Sequence, residues 1–119
     1  MDRDAIRRVH KLFLDKKKPM SQLIVRKFYF SLLLWMLSKE EMHGYGIIKR
    51  MESLDLGTVK ASRIYPMLAE LEKLKLVTKR KEGRRVLYKA SSRGKDVLKR
   101  LKKYLNNNPI GEFLRELVA

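Results

Sequence analysis

Residues 60–88 limit the possible folds of this chain more than any other stretch. From Val59 the sequence runs VKASRIYPMLAELEKLKLVTKRKEGRRVLY. Its first half places Ile64, Met67, Leu68, Leu71 and Leu74 three and four residues apart. That is the stripe of an amphipathic helix, expected over about Ala61 to Leu74. Its second half holds two short segments, Leu76 to Arg80 and Arg85 to Ala90, around Lys81-Glu82-Gly83-Arg84. A Gly-containing turn between two such segments predicts a β-hairpin. Alternation puts Val86, Tyr88 and Ala90 on one face and Arg85, Leu87 and Lys89 on the other. A two-stranded ribbon is unstable by itself, so it must lean on the helices.

Charge singles out the same region. The 119 residues include 29 Lys and Arg against 13 Asp and Glu, a net charge of +16. Residues 73–103 hold fourteen basic and two acidic side chains, net +12, whereas residues 60–72 hold two of each. A merely soluble surface needs charge of both signs; an excess of one sign, concentrated, fits a polyanion. Within the helix, Lys60 and Arg63 occupy the first turn and Glu70 and Glu72 come later. That order opposes the helix dipole unless an anion such as phosphate arrives at the helix start.

The rest of the chain reads as helices. Asp2 can cap a first helix over about Arg3 to Asp15, ended by Lys16-Lys17-Lys18-Pro19. Those three lysines suit either phosphate contact or a solvated linker. A second helix is expected from about Ser21 to Ser38. Its run from Phe28 to Leu37 is apolar all round and so should be covered on every side, by other helices and by a second subunit where the chain itself falls short. Trp35 is expected in that packing rather than stacked on a ligand. Lys39 to His43 reads as a polar connection, and a third helix follows from Gly44 to about Leu54, with His43 structural or capping. Leu56 to Val59 is the turn into the 61–74 helix. Ser91 can cap a helix over Ser92 to about Leu105, with apolar Val97, Leu98, Leu101, Tyr104 and Leu105. Beyond Asn106-Asn107-Asn108-Pro109, Ile110, Phe113, Leu114, Leu117 and Val118 mark a short last helix. Such a helix is marginal alone and needs a partner surface.

The expected fold is mainly α with a small two-stranded β-hairpin: a winged helix-turn-helix (20–90) with an N-terminal helical extension (1–19) and C-terminal helices (91–119) for dimerisation. Several function classes drop out. With no cysteines there is no disulfide frame or thiolate chemistry, and two histidines make no metal site alone. No nucleophile–base pair, carboxylate pair or phosphate loop stands at useful spacing, so no enzyme, metal or cofactor is expected. The charged N-terminus is unlike a signal peptide, and the longest apolar run, ten residues broken by Ser31, is half of what spans a bilayer. A soluble, cytoplasmic, DNA-associated protein with no membrane partner is the expectation.

Three blocks carry a family resemblance. Leu33-Leu34-Trp35-Met36-Leu37 through Met42-His43-Gly44-Tyr45-Gly46-Ile47 resembles the opening of PadR-type transcriptional regulators. Ile64-Tyr65-Pro66-Met67-Leu68-Ala69-Glu70-Leu71-Glu72-Lys73-Leu74 is similar to their recognition helix, and Tyr88-Lys89-Ala90-Ser91-Ser92-Arg93-Gly94-Lys95 to the segment after their wing. The resemblance covers about residues 26–104. It implies a homodimer, joined through C-terminal helices, that represses by binding a near-palindromic operator. Family members usually carry a small-residue S-x-G-T before L-Y-P; here Lys60-Ala61-Ser62-Arg63 stands in its place. Some members bind planar aromatic effectors between subunits. The helix from Ser92 carries only Tyr104 as an aromatic, which leaves a small-molecule effector without support.

Residues and resemblance together name an interface with double-stranded DNA. Lys60, Ser62 and Arg63 lead the recognition helix, Arg63 as the base reader because Arg can grip guanine O6 and N7 together. Tyr65 and Tyr45 position it on phosphates, while Arg80, Lys81, Arg84, Arg85 and Lys89 serve the wing. Val97, Leu98, Leu101, Tyr104, Leu105, Phe113 and Leu117 are the dimerisation candidates. The alternative is an architectural protein that coats DNA without regard to sequence. RNA is disfavoured, because the hairpin lacks the exposed paired aromatics that stack single-stranded bases.

Overall fold

The computed structural model describes residues 3–5, 19–54 and 60–119, with the side chains of 19–25 excepted. Backbone at 3–5 is helical. Most of the expected first helix, with Lys16 to Lys18, and the turn at 56–59 lie outside the described residues. The chain forms two compact units, residues 1–32 and 33–119. The sheet, the candidate site and the C-terminal helices all belong to the second.

In order, the elements are α1 (Pro19–Lys39), β1 (Met42–His43), α2 (Gly44–Ser53), α3 (Ala61–Lys73), β2 (Val77–Glu82), β3 (Arg85–Ala90), α4 (Ser92–Asn106) and α5 (Pro109–Val118). The core of the second unit is Leu33, Leu34, Met36 and Leu37 of α1, Ile47 and Met51 of α2, and Ile64, Met67, Leu68 and Leu71 of α3. Val77 and Ala90 close it from the base of the hairpin. Fully burying each of these side chains larger than Ala contributes roughly 1.5–3 kcal/mol.

Two expectations need correction. The sheet has three strands, ordered β1-β3-β2, not two. The segment read as a polar connection supplies Met42 and His43, which pair antiparallel with Tyr88 and Leu87. The short β1 covers the open edge of β3 and ties the hairpin to the start of α2. The second correction concerns α1: Trp35 is 51% and Phe28 53% exposed. The inward residues Leu33, Leu34, Met36 and Leu37 fill one arc of the helix, and Trp35 falls on the opposite one.

β2 and β3 pair from Val77↔Ala90 to Glu82↔Arg85. The loop is therefore only Gly83 and Arg84, shorter than the four residues anticipated. Gly83 has φ 63° at the first loop position, which is what a two-residue II′ hairpin demands of glycine. At the other end, α3 stops in a Schellman motif: Leu76 N–H bonds Leu71 C=O and Lys75 N–H bonds Glu72 C=O, both at 2.9 Å. Lys75 takes the left-handed position usually given to glycine, with φ 62°.

One corner ties three elements together. Ser91 N–H bonds Leu76 C=O at 2.9 Å, and Ser91 Oγ donates to Lys75 C=O at 2.7 Å while accepting from Gly94 N–H at 3.0 Å. Thus one serine caps α4 and fixes it to the end of α3 and the base of the hairpin. A Cβ on Gly94 would overlap the Leu76 carbonyl oxygen and lie 2.9 Å from Leu34 Cδ1, so only glycine allows this approach.

Candidate nucleic-acid interface

The first N–H groups of any helix lack intrahelical acceptors. α4 and α5 meet that need with the side chains of Ser91 and Asn108. α2 and α3 do not: His43 and Lys60, extended at their N-caps, make no side-chain cap hydrogen bond, and neither first turn holds an acid. Lys60, Ser62 and Arg63 are all exposed there. The leading turn of α3 is thus positive by dipole and by side chain.

Beside it lies an open cleft of about 290 Å³ lined by His43, Gly44, Tyr45, Tyr65, Arg85, Val86 and Tyr88. It gathers three expected site residues, Tyr45, Tyr65 and Arg85, from α2, α3 and β3. Gly44 makes room for this: a Cβ there would meet the Tyr65 hydroxyl at 2.6 Å. Tyr45 is exposed, with Lys49 Nζ 5.4 Å from its ring centroid. The hydrogen bond with the Tyr45 hydroxyl is the main reason that the Lys49 pKa is raised; the Glu52 carboxylate adds to this and desolvation opposes it. Cationic nitrogen and phenolic donors around one opening are suited to an anionic oxygen group.

The wing is less uniformly available than its composition suggests. Arg80 Nε donates to Glu41 Oε2 at 3.0 Å, and its Nη2 to Oε1 at 2.6 Å. The same Nη2 lies 3.0 Å from Glu82, and Lys79 pairs with Glu72 at 3.3 Å. The hydrogen bond from Arg80 is the main reason that the Glu41 carboxyl titrates below its ordinary value; its own desolvation opposes this, and the charges of Arg80 and Lys89 add to it. Lys81, Arg84, Arg85 and Lys89 are exposed. Sequence reasoning missed Glu41, which meets Arg80 only because β1 sits beside β3.

Among the described residues, no group of three or more His, Cys, Asp or Glu is placed to hold a metal ion, and no helix is long and apolar enough to cross a membrane. α4 and α5 pack on each other through a close approach of Gly111 to the Leu105 carbonyl. They leave Val97, Leu101, Tyr104, Phe113 and Leu117 exposed, the last two at 60% and 67%. Leu98 and Leu105 are half-buried. Ile110, Leu114 and Val118 add to the exposed apolar surface.

A sequence profile of the PadR-like transcriptional regulator family matches residues 33–100, more than half of the chain. Among solved structures, a PadR-like regulator from Bacillus cereus superposes with a TM-score of 0.67 at 21% identity, over 81% of this chain and 96% of that one. A PadR-like transcription factor from Bacteroides fragilis gives 0.70 at 19% identity, over 84% and 99%. Bacillus subtilis PadR in complex with operator DNA gives 0.55 at 26% identity, over 62% of this chain and 46% of that one. Curated protein sequences gave no significant match.

Proposed function

Because the chain belongs to the PadR-like family of transcriptional regulators, we propose that it is a homodimeric, sequence-specific repressor of the cytoplasm that binds double-stranded DNA. One observation carries this reading: the exposed, positive, uncapped start of α3 stands beside a cleft that gathers Tyr45, Tyr65 and Arg85. α3 enters the major groove with Lys60, Ser62 and Arg63 leading, and Arg63 reads guanine. Tyr45, Tyr65 and Arg85 hold phosphate and set the register. Lys81, Arg84 and Lys89 grip the backbone from the wing, with Arg80 joining them once it leaves Glu41. The complex of the Bacillus subtilis relative with operator DNA supports the partner.

The exposed apolar surface of α4 and α5 supports the dimer. Val97, Leu98, Leu101, Tyr104, Leu105, Phe113 and Leu117 form its interface, and residues 91–119 act as the dimerisation region beside a DNA-binding region at 20–90. Two copies then present two α3 helices to half-sites about one DNA turn apart. Occupying such an operator blocks transcription without any cofactor. Exposed Trp35 and Phe28 also favour a second subunit as the cover for α1.

Paired titrations test the division of labour. Arg63→Ala should cost about 1–3 kcal/mol on the preferred site and relax specificity, whereas Arg84→Ala should weaken all sequences alike. An unchanged operator preference in Arg63→Ala removes that residue from base reading. The second reading, sequence-neutral coating of DNA, is favoured by the charge of +16. Competition between a genomic site and random DNA at about 0.2 M salt separates the two, because only specific binding keeps its affinity there.

A further inference from the structure

α4 carries charge that the operator reading leaves unused. Lys95, Lys99, Lys102 and Lys103 stand at i, i+4, i+7 and i+8, which puts them in one strip spanning roughly 100° of the helix. All four are exposed. The single acid of α4, Asp96, lies beside the strip and pairs with Arg100 at 3.1 Å. Lys95 with Lys99, and Lys99 with both Lys102 and Lys103, are like-charge neighbours, each costing the helix about 0.2–0.5 kcal/mol. Lys49 and Lys79 are paired with Glu52 and Glu72; among the described residues no acid pairs with these four. We infer that this lysine strip is a second DNA-binding surface, sequence-neutral, which holds a duplex segment other than the one under α3 and the wing.

The chemistry selects duplex phosphate. Lysine ammonium groups are point charges without the planar fork that reads guanine, and the strip holds no aromatic residue on which a single-stranded base would stack. Its placement sets the strip apart from the leading turn of α3 and from the wing loop. α4 starts at the base of the hairpin, held by Ser91 to Lys75 and Leu76. The wing loop lies six strand residues beyond that base, about 20 Å away, and the leading turn of α3 lies thirteen helical residues before it, also about 20 Å. The apolar side of α4, with Val97, Leu101 and Tyr104, faces away from the strip, as it must if a second copy covers it. Lysines on one side and apolar residues on the other also describe a helix at an anionic membrane surface, which the test must separate.

The inference rests on the proposed operator binding only in that a first duplex must be held while a second is captured. A biotinylated duplex is immobilised, protein is added, and capture of a second, fluorescent duplex of unrelated sequence is measured against salt. The wild-type protein should bridge the two. The variant Lys95→Gln/Lys99→Gln/Lys102→Gln/Lys103→Gln should still bind the first duplex and lose the second. The slope of log affinity against log salt for the second capture should fall by about 3–4. Circular dichroism checks that the variant stays folded. Second-duplex capture that is missing in the wild type, or equal in the variant, overturns the inference while leaving the operator reading intact. Binding to phosphatidylglycerol vesicles that disappears in the variant, with bridging unaffected, also overturns it in favour of a membrane surface. Failure to hold even the first duplex sinks the operator reading, and this inference with it.

Discussion

Gly94→Ala sets two physical effects against each other, and the structure decides the sign. Replacing a helical glycine by alanine ordinarily gains about 1 kcal/mol. At Gly94 the added methyl would overlap the Leu76 carbonyl oxygen and crowd Leu34 Cδ1 at 2.9 Å. That carbonyl is backbone, already bonded by Ser91 N–H, so it cannot step aside without breaking the corner that joins α3, the hairpin and α4. Overpacking of this kind costs about 1–3 kcal/mol. The position is in the first turn of α4, where the propensity gain is small, so we expect a net loss of about 1–2 kcal/mol. For a chain of this size the Tm should fall by about 3–10 °C. Gly46→Ala is the internal control. Its methyl would meet only the His43 imidazole, at 3.0–3.1 Å, and a side chain can turn. Its Tm should hold or rise. Thermal unfolding followed by circular dichroism measures both. A Tm that rises in Gly94→Ala, or equal changes in the two variants, would refute the argument from close approach. The loss should also reach function if the proposed dimer forms: a tilted α4 would change the spacing of its two α3 helices, so operator affinity should drop further than unfolding alone accounts for.

The Glu41–Arg80 pair predicts a pH signature. Glu41 titrates below its ordinary 4.5 in the folded chain, so its contribution to stability is fully present above that pH and is lost as the pH falls through the lowered value. The Tm gap between wild type and Glu41→Gln should therefore be present at neutral pH and close on acidification below 4.5; a gap that persists in acid contradicts the pairing. The same variant removes one of the two carboxylates that hold Arg80, leaving Glu82, and should bind random DNA more tightly at low salt, as read by anisotropy. At the C-terminus, Phe113→Asp/Leu117→Asp should convert the dimer to monomer in light scattering and abolish operator binding, while the charge-conserving surface change Arg115→Lys leaves the mass unchanged.

Much of this fold is written in local periodicity. The 3.6-residue stripe of Ile64, Met67, Leu68, Leu71 and Leu74 identifies α3 and its inward face; the first four are buried, whereas Leu74, at the C-cap, is exposed. Gly83 marked the hairpin and takes the positive φ that the tight loop needs. Ser91, a cap by its place before the helix, accepts from Gly94 N–H. The three motif blocks named the family that the profile match shows. What escaped depends on long-range pairing. β1 is two residues long, too short to show alternation, and its partners Tyr88 and Leu87 lie some forty-five positions on. Missing β1 meant missing Glu41 against Arg80. The exposure of Phe28 and Trp35 within one copy escaped for the opposite reason: an all-apolar run has no periodicity from which to read the face that its own chain leaves uncovered. The cleft that unites Tyr45, Tyr65 and Arg85 needs three separate elements, and no spacing in the chain announces it.

Selection of bound duplexes from a random pool tests the central claim most directly. The 119-residue protein is incubated with random DNA at moderate salt, and bound molecules are amplified and sequenced over several rounds. A dimer that reads through the leading turn of α3 should enrich a palindrome whose half-sites sit about one DNA turn apart, each holding a guanine whose enrichment disappears with Arg63→Ala. A pool that remains random under the same conditions, with the protein still bound to it, would contradict sequence-specific regulation and leave a coating protein in its place.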